Sequence, residues 1–238
     1  MPRLPIIPTL ITFTAVVIMF ALGLWQLQRA EQKNERLASI AELKGSSQMA
    51  LSAVLSNIHD MQDVPISFTA SADPTQYFLL DNKIHQGRVG YQLLVPLQTN
   101  SGILMANFGW LSATHSRKVL PEVNIDDNLM SYSGLVSFPS KNILVTETAK
   151  VDGQWPKVIQ EVDLNVLEQH YRKPLLPFVV KLAEEPNSSF VRQWQAVVMP
   201  PEKHIAYAVQ WFLLALAAVI VFIIAQRKRI KRSKREYN

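Results

Sequence analysis

Histidine, tryptophan, tyrosine and arginine gather at two places in this 238-residue chain, each at the edge of a long apolar run. The first group is Trp25, Gln26 and Arg29, in "LGLWQLQRAEQK". The second is His204, Tyr207, Gln210 and Trp211, in "HIAYAVQW". On a helix, His204, Tyr207, Ala208 and Trp211 share a face at i, i+3, i+4 and i+7, and Trp25 and Arg29 share one at i, i+4. A neutral imidazole is a good axial ligand for haem iron, Trp and Tyr rings can flank a porphyrin, and a guanidinium can pair with propionates. The same residues also suit a plainer role, because Trp and Tyr favour membrane interfaces, where a His or Arg simply touches headgroups. Position alone leaves both readings open.

What positions these groups is the pair of apolar runs. From Ile205 to Ala225 there is no charged residue in 21 positions, and Gln210 is the one strongly polar side chain. A helix rises about 1.5 Å per residue, so the run spans roughly 30 Å, the thickness of a bilayer's hydrocarbon core. The other run is Leu10 to Leu27. Its lone preceding basic residue, Arg3, makes a weak signal-peptide n-region, and "WQLQRAEQK" offers no small-x-small cleavage site, so it is expected to stay as an anchor. Beyond Ala225 come Arg227, Lys228, Arg229, Lys231, Arg232, Lys234 and Arg235 against a single acid, Glu236. Basic residues beside a span stay in the cytoplasm and contact lipid headgroups. The expected division is therefore residues 1–9 in the cytoplasm, 10–27 across the membrane, 28–204 outside, 205–225 across again, and 226–238 as a basic cytoplasmic tail. Antiparallel spans bring the two polar-aromatic groups to one depth.

This partition changes what the formal charge of +5 means. The outer section holds 16 Lys/Arg and 18 Asp/Glu. Its surface is no nucleic-acid binder. There is no cysteine, which excludes disulfides, thiol redox work and any Cys-based metal site. His59, His85, His115 and His170 stand apart from one another, as do the methionines, and no metal-ligand spacing emerges. Walker loops, nucleophile elbows, HExxH and dinucleotide fingerprints are all missing. Asp126 and Asp127 are adjacent and read as a solvated loop pair. No enzymatic chemistry is expected.

The outer section reads mostly as strands. "RAEQKNERLASIAELKG" should carry the first helix beyond the membrane as far as Gly45, and "MALSAVLSNI" can form a short second helix. Then follow short runs rich in β-branched and aromatic residues: "VPISFTAS", "QYFLLDNK", "GYQLLVPLQ", "GILMANFGWL", "SYSGLVSF", "KNILVTE", "LPFVVKLA" and "VRQWQAVVM". Pro, Gly, Asn and Asp clusters separate them. "QTNSG" reads as a hairpin loop. "DLNVLEQHYRK" interrupts as a helix with Asp163 as its N-cap. The fold expected is a membrane-anchored α+β protein. Two transmembrane helices flank an antiparallel β-rich domain, barrel- or sandwich-like, with small helices.

The two span motifs resemble those of the surfeit locus protein family, assembly factors of haem-copper cytochrome c oxidase. Leu22, Gly23, Trp25, Gln26, Arg29 and Lys33 match its first-span signature, and "HIAYAVQW" is similar to its second-span motif. "LLDNKIHQGRVGYQLLVPL", "GILMANFGW" and "GQWPKVIQEVD" fall between them in the family's order. The chain departs at Phe108, where the family often has Arg, and at Lys203, where it commonly has Asn. The resemblance implies an assembly factor in a bacterial inner membrane. It would act on oxidase subunit I and assist haem a insertion, with haem a synthase as a possible further partner. It places haem ligation on His204, and by residue type Trp25, Arg29, Tyr207 and Trp211 would then surround the cofactor. The alternative is a membrane-anchored periplasmic scaffold or sensor with no haem role.

Overall fold

In the computed structural model, residues 5–44, 47–59, 61–142, 144–149, 152, 154–186, 188–194 and 199–236 are described. The chain divides into two units, one of residues 1–41 with 195–238 and one of residues 42–194.

Two helices make the first unit, α1 (Ile6–Lys44) and α4 (Pro201–Glu236). Each contains a stretch long and apolar enough to cross a bilayer. Ile7, Leu10, Phe13 and Val17 on α1, and Val209, Leu213, Leu216 and Ile220 on α4, are exposed. Rows of bare aliphatic side chains are at home in lipid rather than in water, so the protein is membrane-anchored. α1 continues to Lys44 as its charged second half requires.

The second unit holds β1 (Met49–Ala50), α2 (Leu51–Ser56), β2 (Pro65–Ala72), β3 (Phe78–His85), β4 (Arg88–Thr99), β5 (Gly102–Ser112), β6 (Met130–Ser137), β7 (Lys157–Ile159), α3 (Leu164–Tyr171) and β8 (Leu175–Leu182). Thr99 pairs with Gly102 across the two-residue turn that joins β4 to β5. Strand order is β1-β2-β6-β8-β5-β4-β3-β7, and β2 also pairs with β4 through Ser71–Gln98 and Ala72–Leu97. That last pairing closes β2, β6, β8, β5 and β4 into a five-stranded barrel. Most pairs are antiparallel, while β5–β8, β3–β7 and β1–β2 are parallel. A closed Greek-key barrel of this size leaves no unpaired edge within its ring.

Alternation along the strands fills the barrel. Ile66, Phe68, Leu93, Val95, Leu97, Leu104, Phe178 and Val180 belong to one inner cluster. The opposite faces of β3, β4, β5 and β8 build a second cluster from Phe78, Leu80, Leu94, Met105 and Val179, covered by Leu167 and Tyr171 of α3 and by Ile159 of β7. β4 and β5 are thus apolar on both faces, which is why "LLVPL" and "ILMA" read as unbroken runs. Asp163 caps α3, its carboxylate accepting from Asn165 N at 3.0 Å.

Two differences from the expected elements have local causes. Among the described residues of "KNILVTE" there is no strand; Glu147 instead accepts from the backbone N–H of Thr148, Ala149 and Gln160, which fixes an irregular loop. Ile143 lies outside the described residues. Among the described residues of "VRQWQAVVM" a single bridge forms, Trp110 with Val191; residues 195–198 lie outside the described set. His170 on α3 is buried, its ring centroid 6.3 Å from that of Phe78.

Candidate functional site

Within the helix pair, the two polar-aromatic groups do meet. His204 Nδ1 lies 2.7 Å from Gln26 Oε1. Phe212 packs on α1 as well, its ring centroid 5.3 Å from that of Phe20. These contacts step forward along one helix as they step back along the other, so the helices run antiparallel here. Gly23 makes the approach close: a Cβ placed on it would stand 2.7 Å from Phe212 Cζ. Ala208 and Ala215 on α4 and Ala30 on α1 are buried too. Small residues are what allow membrane helices to pack tightly.

The bond from Gln26 decides the chemistry of the imidazole. With the Gln26 carboxamide oxygen facing the ring, the bond suits the tautomer that carries its proton on Nδ1, and in that tautomer the lone pair sits on Nε2. Metal-binding histidines are held in this way, with one ring N–H donated to an outer oxygen and the other nitrogen free to ligate. His204 itself is only 9% exposed. The donor is thus of the type that haem iron accepts.

The other expected site residues are placed less uniformly. Trp211 is half-buried on the His204 face, with Ala208 fully buried between them. Tyr207 is 45% exposed and Trp25 47% exposed. The Arg29 guanidinium lies over the Trp25 ring, 5.5 Å from its centroid, and also donates to Gln32 Oε1 at 3.0 Å. The shared face of Trp25 and Arg29 is thus real, and it is an exposed one. Helical positions i+3 and i+4 straddle the direction of residue i, and here Ala208 rather than Tyr207 turns inward with His204.

Gln26 is the residue that face-matching passed over. A signal for it exists in the chain: a carboxamide within an apolar span needs a polar partner, and His204 is the group at its depth.

Elsewhere, His170 is buried with its Nδ1 lacking a hydrogen-bond partner among the described residues. Burial, reinforced by Lys157, pushes this imidazole below its ordinary range. No cluster of three or more metal-ligating side chains occurs among the described residues.

A two-span membrane anchor carrying a five-stranded barrel, with an oriented imidazole between its helices, defines the class of this protein. The sequence matches the SURF1 family over residues 13–216, and the chain belongs to that family. It is similar to the SURF1-like protein of Rickettsia felis, with 26% identity covering 93% of this chain and 96% of that one. It is also similar to the SURF1-like protein of Rickettsia conorii, with 24% identity over 92% and 89% of the respective chains.

Proposed function

We propose that this protein is an assembly factor for haem-copper cytochrome c oxidase that receives haem a and presents it to subunit I. Family membership supports the oxidase role. The basic cluster behind α4 supports cytoplasmic termini and a barrel on the outer face of a bacterial inner membrane. The observation that carries the haem reading is the Gln26–His204 bond, which aims the lone pair of Nε2 away from the glutamine. His204 would hold the iron, Trp211 would pack beside it, and Trp25, Arg29 and Tyr207 would line the open side of the pair. Haem a, when bound, supplies an iron centre that accepts the imidazole nitrogen. The protein orients and releases the group and performs no covalent step. Haem a synthase is the natural donor partner.

A second reading, a scaffold that holds subunit I open, is favoured by Gln210. This carboxamide is exposed on α4 inside the apolar run, where lipid offers it no hydrogen bond. A polar group from a partner helix would satisfy it.

Complementation of a deletion strain tests the proposal. His204→Ala and His204→Gln should both lower the haem a signal of assembled oxidase in membranes, with this protein's abundance unchanged. Full oxidase assembly with His204→Gln would remove the ligand role.

A further inference from the structure

A cleft of about 320 Å³ opens on the outer face of the barrel, beside the second apolar cluster. Two β-bulges shape it. On β3, Leu80 pairs with Gln92 and Lys83 with Gly90, so the strand carries one extra residue, and Asn82 takes a left-handed φ of 58°. On β5, Leu93 pairs with Gly109 but Leu94 with Asn107, so Phe108 is extra and Gly109 has φ 121°. Bulges re-aim side chains and gather near binding sites. The first bulge brings Leu80 and Lys83, three residues apart, onto one cleft. It also separates Lys83 from the nearest acid in sequence, since Asp81 is paired with Arg117 at 3.1 Å.

The polar lining is asymmetric. Asn107 is 4% exposed, donates through Nδ2 to Gln92 Oε1 at 3.1 Å, and accepts from Gly109 N at 3.1 Å. With its oxygen engaged, Gln92 presents its NH2 as the group able to donate. Lys83 is half-buried, and among the described residues no carboxylate pairs with it. Burial alone pushes its ammonium below the ordinary lysine range. Desolvating a cation without a counter-charge is unfavourable, and an incoming anion would relieve that penalty. Glu161 and Lys181 also stand in the wall, the Glu161 carboxylate accepting from Asn142 N at 2.9 Å, so with Lys83 the lining carries two cations and one acid, a balance that suits a monoanion. Leu80, Val162 and Val179 supply an apolar floor.

We propose that this cleft is a binding site for a small organic monocarboxylate. The carboxylate is held by the Lys83 ammonium and the Gln92 amide, and the apolar body rests on Leu80, Val162 and Val179. A water occupies about 30 Å³, so the space suits a ligand of roughly ten non-hydrogen atoms. The site lies wholly within the unit of residues 42–194 and is independent of the helix pair.

The test is a fluorine NMR titration of the full-length protein in zwitterionic-lipid nanodiscs with 4,4,4-trifluorobutanoate. Saturable binding with Kd of roughly millimolar order is expected for so small a probe. Lys83→Gln should raise Kd about tenfold or more, the size of a lost charge-assisted hydrogen bond. Val162→Trp, which fills the cleft, should abolish binding, and the exposed Lys118→Gln should leave it unchanged. The neutral isostere 4,4,4-trifluorobutanol should bind the unaltered protein at least about tenfold more weakly. Absence of saturable binding would overturn the proposal, as would equal affinity for the alcohol, or tighter binding of inorganic phosphate than of the carboxylate.

Discussion

Replacing Gly23 with alanine sets two effects of known sign against each other. In a helix interior, alanine is favoured over glycine by up to about 1 kcal/mol. At this position the new Cβ would stand 2.7 Å from Phe212 Cζ and 2.9 Å from Phe212 Cδ1. The ring cannot simply withdraw on every side, because Phe20 packs against it at a centroid distance of 5.3 Å. Overpacking of this kind costs about 1–3 kcal/mol. The net expectation for Gly23→Ala is destabilisation of the helix pair by up to about 2 kcal/mol. In a Phe212→Ala background the clash is gone and only the helix preference remains, so the same substitution should become stabilising, by up to about 1 kcal/mol. The sign reversal is the signature, and it amounts to a coupling energy of about 1–3 kcal/mol in a double-mutant cycle. The chain has no cysteine of its own, so cysteines introduced on α1 and α4 can carry a donor and an acceptor dye. Their energy transfer reports helix separation as SDS is titrated into a mild detergent. Equal effects of Gly23→Ala with and without Phe212 would refute the close packing on which the site's geometry rests.

Three further outcomes are expected. Asp163→Ala removes the N-cap of α3 and should destabilise the barrel unit by about 1 kcal/mol in thermal unfolding, with Asp163→Asn nearly neutral. The Tyr171 hydroxyl, buried and bonded to Asp73 at 3.2 Å, has its pKa pushed up to about 12 by burial first and the Asp73 charge second. A raised tyrosine pKa means stability that is complete below about pH 10 and is lost as pH rises from there through about 12. Denaturant midpoints across that window should fall for the unaltered protein and fall less for Tyr171→Phe, the remaining slope coming from Tyr77, Tyr91 and Tyr132, whose pKa values burial also raises. A cytoplasm-dependent reporter should be active when fused after Asn238 and inactive when inserted near Asn124; the reverse pattern would overturn the orientation.

Much of this architecture is legible in the residues because its causes are local. The uncharged run from Ile205 to Ala225, the charged continuation of α1 to Lys44 and the Asp163 cap each follow from nearest neighbours in sequence. The turn at Asn100–Ser101 does as well. What was not legible depends on distant partners. Barrel closure rests on two residue pairs between β2 and β4, whose strands are separated by all of β3. β7 is three residues long and gains its identity only by lying beside β3. The bulge at Asn82 leaves no mark that distinguishes it from a turn. At the helix pair, residue types revealed His204, but which neighbour faces inward is set by the size of Ala208 and the notch at Gly23. Tyr207 therefore ranked above Gln26 on spacing, and the fold reverses that order.

The most direct measurement is the optical spectrum of the protein purified from cells that also make haem a. A haem a spectrum is expected for the unaltered protein and should be lost in His204→Gln, because a carboxamide is polar but a poor iron ligand. Trp25→Ala and Arg29→Ala, which change only the exposed flank, should reduce haem retention less than either His204 substitution. A His204→Gln protein that keeps both its haem spectrum and its oxidase assembly would exclude ligation by His204 and leave it as a packing residue of the helix pair.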